Sequence, residues 1–207
     1  MKAEMGGRKA PEERRREEII RAAFAVAAEG GLASVTARAV AAEARVSPGL
    51  VFFYYATIDQ LLLALLDWLL ARTVVAGEVP AVAAATADPA GRMMAVVRRD
   101  IERLPRQRAR VELFFEYWVL GTRDPAIRRK IRRALDRYRA SFLPVAAALV
   151  AAEPERYAGA TAEGLASVAA SFVEGCALQV VMDPTQFDVE RSMTTLSALV
   201  RQPAMAT

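Results

Sequence analysis

The segment Ser47-Pro48-Gly49 joins a hydroxyl, a ring that fixes φ and a residue without a side chain at what reads as the start of a helix. Ser47 can accept a hydrogen bond from the first free amides of that helix, and proline suits its first position. A helix begun in this way can lie in the major groove of duplex DNA while capping residues and free backbone amides grip the flanking phosphates. Other chemistries have little to work with. The chain has no histidine and a single cysteine, Cys176, which removes zinc sites, Ser-His or Cys-His nucleophile pairs and an internal disulfide. No acid/base pair, phosphate-binding glycine loop or metal set stands out, so neither an enzyme nor a cofactor is expected.

The elements around Ser47 follow from spacing. Residues 1–10 read as a flexible basic arm, and Pro11 with Glu12 and Glu13 suits the first turn of a helix. Ile19, Ile20, Ala23, Phe24 and Ala27 then recur at helical intervals up to a stop at Gly30-Gly31. A short helix follows Thr36 and ends near Ala44, a few residues before Ser47, and two short helices at so tight a turn are a helix-turn-helix. Phe52 and Tyr55, three residues apart, are expected to pack inward. Thr57-Ile58-Asp59-Gln60 matches a capping box that opens a longer helix over 57–76 through Leu61, Leu62, Leu65, Leu66, Trp68 and Leu69.

Beyond it, residues 77–88 carry glycine, proline and alanine in a low-complexity run and predict a loop. Asp88-Pro89 and Asp124-Pro125 each put a capping acid before a proline and mark two helix starts. Ile127, Ile131, Leu135, Tyr138, Phe142, Val145 and Leu149 step by three and four, so the second of these helices is long and amphipathic, with Pro144 placed to bend it. Net charge is +4 for the chain, but residues 98–139 alone carry +8, and Arg128, Arg129, Lys130, Arg132 and Arg133 read as the solvated face of that long helix. Gly164 to Met182 is apolar on both faces and predicts a helix buried on both sides rather than a membrane span, since Glu174 and Gln179 interrupt it. Asp188 can cap a last helix carrying Met193, Leu196, Leu199 and Val200.

Apolar residues make up 54% of the chain and aromatics only 7%, so alanine supplies the difference and an all-α fold of about nine helices is expected. The basic and polar beginning has no apolar stretch like that of a signal peptide, and a lone thiol suits a reducing cytoplasm.

Residues 19–66 resemble the DNA-binding domain of the TetR family of one-component regulators. The pattern is carried by Ala22 and Ala23, Gly30, Val35-Thr36, Val40-Ala41, Ala44, Val46-Ser47, Gly49, the aromatics at 52–55, Asp59 and Leu61. Phe172 to Glu190 is similar to the penultimate-helix region of some members. The resemblance implies a three-helix DNA-binding domain over 11–56 and a helical effector-binding and dimerisation domain over 57–207. It places Thr36, Arg38, Arg45, Ser47, Pro48, Gly49, Leu50, Phe53, Tyr54 and Thr57 toward DNA. Three positions depart from the pattern: Ile58 stands in place of a phosphate-contacting lysine, Arg45 in place of a turn glycine, and Phe52 in place of tyrosine. With almost no hydrogen-bonding side chain from Pro48 to Tyr55, Arg38 is the expected base reader, aided by thymine-methyl contacts from Leu50 or Phe53 and by DNA shape.

Further along, the resemblance implies a small, largely apolar effector, for which Trp68, Met93, Met94, Phe114, Phe115, Trp118, Phe142, Phe172, Cys176 and Gln179 are the lining candidates. It also implies a homodimer through the last two helices, with Ala166, Ala170, Val173, Ala177, Leu196 and Leu199 at the interface, suited to a palindromic operator. The polar interruptions of the apolar stretch leave no membrane partner expected. The expected function is a sequence-specific transcription regulator, a repressor released by its effector. The alternative is an interaction protein of the same fold with weak or non-specific DNA binding, suggested by Arg45, Ile58 and the mild charge of the N-terminal domain.

Overall fold

The computed structural model describes residues 6–73 and 88–201, with side chains over 12–72 and 88–201. Among these residues it holds nine α-helices, two short 3-10 turns and no strand. In chain order they are α1 (Gly6–Gly30), α2 (Ala37–Ala44), α3 (Pro48–Tyr54), α4 (Ile58–Thr73), α5 (Pro89–Arg103), α6 (Arg108–Gly121), α7 (Pro125–Ala152), α8 (Ala162–Met182) and α9 (Val189–Arg201). The described residues belong to two compact units, one holding residues 6–73 with Glu112–Ile131, the other residues 88–111 with 132–201.

In the first unit α1 packs on α2 and α4, and α2 packs on α3. Its core is the expected stripe of α1, with Ile19, Ile20, Ala23 and Ala27 buried, joined by Val40, Val51, Leu61, Leu65, Leu66 and Leu69. Helix α1 begins at Gly6 rather than Pro11, so part of the expected arm is helical and the proline sits within the helix. A proline so near a helix start removes a single backbone hydrogen bond, which the rest of a long helix tolerates. Tyr117 of α6 is 1% exposed and donates its hydroxyl to the Leu62 carbonyl at 2.7 Å. Burial pushes that phenol well above its ordinary range. Lys130 pairs with Asp67 at 2.6 Å, and Arg128 donates to the carbonyls of Gly121 and Thr122, so two members of the basic block have structural work on the end of α7.

The second unit is built on α5, which packs against α8 and α9. Asp88 caps α5 by accepting from the amides of Ala90 and Gly91, both at 2.9 Å, and Asp124 and Asp188 cap α7 and α9 in the same way. Both ends of α9 are tied to α5, by Glu190 on Arg98 and by Arg201 on Asp88. The predicted stripe of α7 is inward at Ile131, Phe142, Val145 and Leu149, and the helix runs unbroken through Pro144. Tyr138 donates to Asp100 at 2.9 Å while Arg99 holds the other carboxylate oxygen at 2.8 Å, and burial pushes the Tyr138 phenol up.

Helix α8 corrects one expectation. It is long and apolar enough to cross a bilayer by length and composition, yet it is buried on one side only. Ala166, Ala169, Ala170, Val173, Cys176 and Val180 face inward, whereas Val168 is 62% exposed, Leu178 44% and Met182 72%. Periodicity reports that both faces are apolar, not which of them the same chain covers. The expected loop over 77–87 and the last turn of the 57–76 helix lie outside the described residues.

Candidate nucleic-acid interface

Helix α2 starts because Thr36 is extended (φ −120°, ψ 157°) and its hydroxyl oxygen accepts the Ala39 amide at 3.1 Å. It stops at Arg45, which adopts the left-handed conformation (φ 55°, ψ 45°). The Arg45 amide donates to Ala42 at 3.2 Å and the Val46 amide reaches back to Ala41 at 2.9 Å. This is the paired closure of a Schellman motif, in which glycine is the usual left-handed residue. Two residues on, Ser47 accepts the Leu50 amide at 3.2 Å and Pro48 opens α3. The turn is therefore assembled from local hydrogen bonds, of which the Thr36 and Ser47 caps are legible in residue type and the closure at Arg45 is not.

Val51 in α3 and Tyr55 just past its end provide the anchor, at 0% and 8% exposure. They are four residues apart, so Phe52 falls off that face and is 46% exposed, against the expectation that it packs inward. Thr36, Arg38, Arg45, Ser47, Pro48, Gly49 and Phe53 are exposed, as is Thr57, while Leu50 and Tyr54 are half-buried. Thr57 accepts the Gln60 amide at 3.1 Å and so opens α4 as its capping box predicts. Arg38 and Arg45 have no ion pair among the described residues. A Cβ on Gly49 would meet nothing nearer than the Ser47 hydroxyl at 3.9 Å. Nothing among the described residues therefore requires glycine there.

Two supports of this surface escape a reading of spacing. Arg16 on α1 donates to the Tyr54 carbonyl at 3.1 Å, its guanidinium lies 5.3 Å from the Tyr54 ring centre and 5.7 Å from that of Tyr55, and the Tyr55 hydroxyl reaches the Arg16 carbonyl at 3.4 Å. The C-terminal end of α3 is thereby held to α1. Glu116 on α6 accepts the Leu32 amide at 2.8 Å, beside Gly31, whose positive φ of 75° suits glycine and whose missing Cβ leaves room for the carboxylate. Its one sequence signal is an isolated charge in the apolar run Leu113–Leu120.

Residues 19–65 match the family model for bacterial regulatory proteins of the tetR family, and residues 89–203 match that for the C-terminal part of BetI-type transcriptional repressors. The chain belongs to the TetR family. It is a transcription regulator, with a helix-turn-helix at its N-terminus and a helical C-terminal domain. Among solved structures it is similar to a TetR transcription regulator from Haloarcula marismortui, at 23% identity and a TM-score of 0.74 over 91% of this chain and 97% of the other. A regulator from Rhodococcus sp. Rha1 matches at 26% identity and 0.65, covering 89% and 93%. The regulator FadR from Bacillus subtilis, in complex with stearoyl-CoA, matches at 18% and 0.69, covering 89% and 97%. No curated protein matches the chain.

The residues expected around an effector fall in both units. In the first, Phe114, Phe115 and Trp118 form one ring cluster, with Phe115 stacked on Trp118 at 6.0 Å, while Trp68 lies 5.2 Å from Phe24 under the Arg72 guanidinium. In the second, Met93, Met94, Phe142 and Cys176 are buried, Phe172 is half-buried and Gln179 is exposed. Met94 also borders a groove of about 460 Å³ between α5 and α9, with Arg98, Met193 and Ser197. The expected dimer residues divide as well. Ala166, Ala170 and Val173 are covered by their own chain, Ala177 and Leu196 are half-buried, and Leu199 is 62% exposed.

Proposed function

We propose that this TetR-family regulator binds a palindromic operator as a cytoplasmic homodimer and represses transcription until a small, largely apolar effector releases it. The observation that carries the DNA-binding surface is the exposed side of α2 and α3. There Arg38, Arg45, bare Gly49 and Phe53 face solvent on a unit whose own core is filled by Val51 and Tyr55. Thr36 and Ser47 keep their capping roles while touching phosphate, Pro48, Leu50, Tyr54 and Thr57 complete the contact surface, and Arg38 supplies the direct base contact.

Dimerisation is supported by the uncovered side of α8 and α9, where Val168, Leu178, Met182 and Leu199 are exposed. Gly175 lies seven residues from both Val168 and Met182, and a Cβ there would meet nothing of its own chain. A helix glycine that costs about 1 kcal/mol relative to alanine serves the close approach of a second helix. The interface thus shifts from Ala166, Ala170 and Val173 to this opposite face. For the effector, the Bacillus subtilis relative is in complex with stearoyl-CoA, whose long acyl chain supports a ligand with an apolar part. Such a molecule shifts DNA affinity only as far as it prefers the DNA-incompetent conformation.

Selection of the purified protein against random duplex DNA at near-physiological salt tests the proposal. The expected result is an enriched palindrome with half-sites about one helical turn apart, and relaxed preference at one base pair per half-site for Arg38→Ala. Binding that fades with salt and enriches no sequence would refute it.

A further inference from the structure

Phe53 is 76% exposed, the most exposed large apolar side chain among the described residues. The core does not need it, because Val51 and Tyr55 already fill the inner side of α3. Its ring has one aromatic neighbour among the described residues. It meets the Tyr54 ring edge to face at 5.2 Å, and Tyr54 is fixed in turn by Arg16, which takes its carbonyl at 3.1 Å and covers its ring. Four residues earlier on the same face stands Gly49 and three earlier Leu50, so this strip of α3 carries carbon and no donor or acceptor side chain. A base edge lying on it is offered no hydrogen bond by a side chain. The carbon feature that a base pair displays in the major groove is the 5-methyl of thymine.

We propose that Phe53 reads a pyrimidine 5-methyl group in each half-site, so that thymine is preferred to uracil or cytosine there and 5-methylcytosine is accepted in its place. The inference rests on the DNA-binding reading and adds to it a sensitivity to cytosine methylation. Removing one buried methyl corresponds to about fourfold in affinity, or roughly fifteenfold when both half-sites lose it.

The full-length protein is used to select a palindromic duplex, which is then resynthesised with deoxyuridine replacing thymidine at one symmetry-related pair at a time. Wild type should lose roughly fifteenfold at one pair, and a dC·dG pair placed there should gain affinity on 5-methylation. Phe53→Ala should bind the unmodified duplex more weakly and feel no uracil penalty at that pair, whereas Phe53→Leu should keep part of the penalty. A flat uracil scan, or a penalty that Phe53→Ala retains, overturns methyl reading while leaving operator binding intact. Failure to enrich any duplex overturns operator binding and methyl reading together.

Discussion

Arg45→Gly probes the turn between α2 and α3 for strain and for phosphate contact at once. At φ 55° and ψ 45° the arginine Cβ lies in the left-handed region, which costs an L-residue roughly 1–2 kcal/mol. Glycine reaches that conformation freely but loses more freedom on folding, about 0.5–1 kcal/mol. The difference leaves Arg45→Gly more stable by about 0.5–1 kcal/mol, or ~1–4 °C in Tm for a chain of this length. The amide hydrogen bonds to Ala41 and Ala42 are backbone bonds and survive the substitution. Thermal melts without DNA, at fixed protein concentration, measure that gain. The same change removes a guanidinium without an ion pair among the described residues. A lost phosphate contact lowers the slope of log affinity against log salt by about 0.9 per protomer, so ~2 for a dimer. Arg45→Lys keeps both the charge and the Cβ, and should leave Tm unchanged with most of the slope retained. A lower Tm for the glycine variant would refute the strain argument, and an unchanged salt slope would refute the phosphate contact.

Gly49→Ala should raise stability by about 0.5–1 kcal/mol, since a Cβ there has open space and alanine favours the helix, yet weaken operator binding by filling the side that faces DNA. Melting and binding that moved in the same direction would count against this assignment. Burial raises the Glu174 carboxyl above its ordinary value of 4.5. Its protonated form therefore favours the fold, a contribution present below pH 4.5 and lost as pH rises through the raised native value. Glu174→Gln should flatten stability against pH just above 4.5 and stabilise the protein at neutral pH. Denaturant titrations at several pH values check this, and unaltered pH dependence would contradict it. Cys176 is 3% exposed, and burial pushes its thiol up to about 11. It should resist alkylation at neutral pH in the folded protein and react promptly in denaturant.

Local hydrogen-bond chemistry made the helix starts legible in the sequence. Thr36, Ser47, Thr57, Asp88, Asp124 and Asp188 each accept the expected amide two or three residues on. The left-handed turn at Arg45 was not legible in its residue type, because arginine stands where such a turn usually takes glycine, and only the resemblance that puts glycine there pointed to it. Contacts across the chain were not legible either. Arg16 lies 38 residues from Tyr54, and Glu116 lies 84 from Leu32. Nothing in the spacing of a basic run such as Arg14-Arg15-Arg16 says that its third member reaches the end of α3 while the first two pair with Glu18.

Phe52 and the α8 alanines share a cause for their misplacement. In α3 the choice between i+3 and i+4 partners for Tyr55 decides whether Phe52 or Val51 is inward, and the β-branched Val51 wins at 0% exposure. In α8 the stripe of small residues marks close helix approach correctly, but the approach is made by α5 of the same chain. That leaves the larger residues Val168, Leu178 and Met182 on the outside. Their uncovered state is the stronger argument for a partner, because large apolar side chains gain most from leaving water. Alanines already buried at 1–3% have nothing left to gain. A charge on the outer face, as in Leu178→Glu, should therefore yield a folded monomer in sedimentation, whereas a charge at Ala170 should unfold the chain before it separates any dimer.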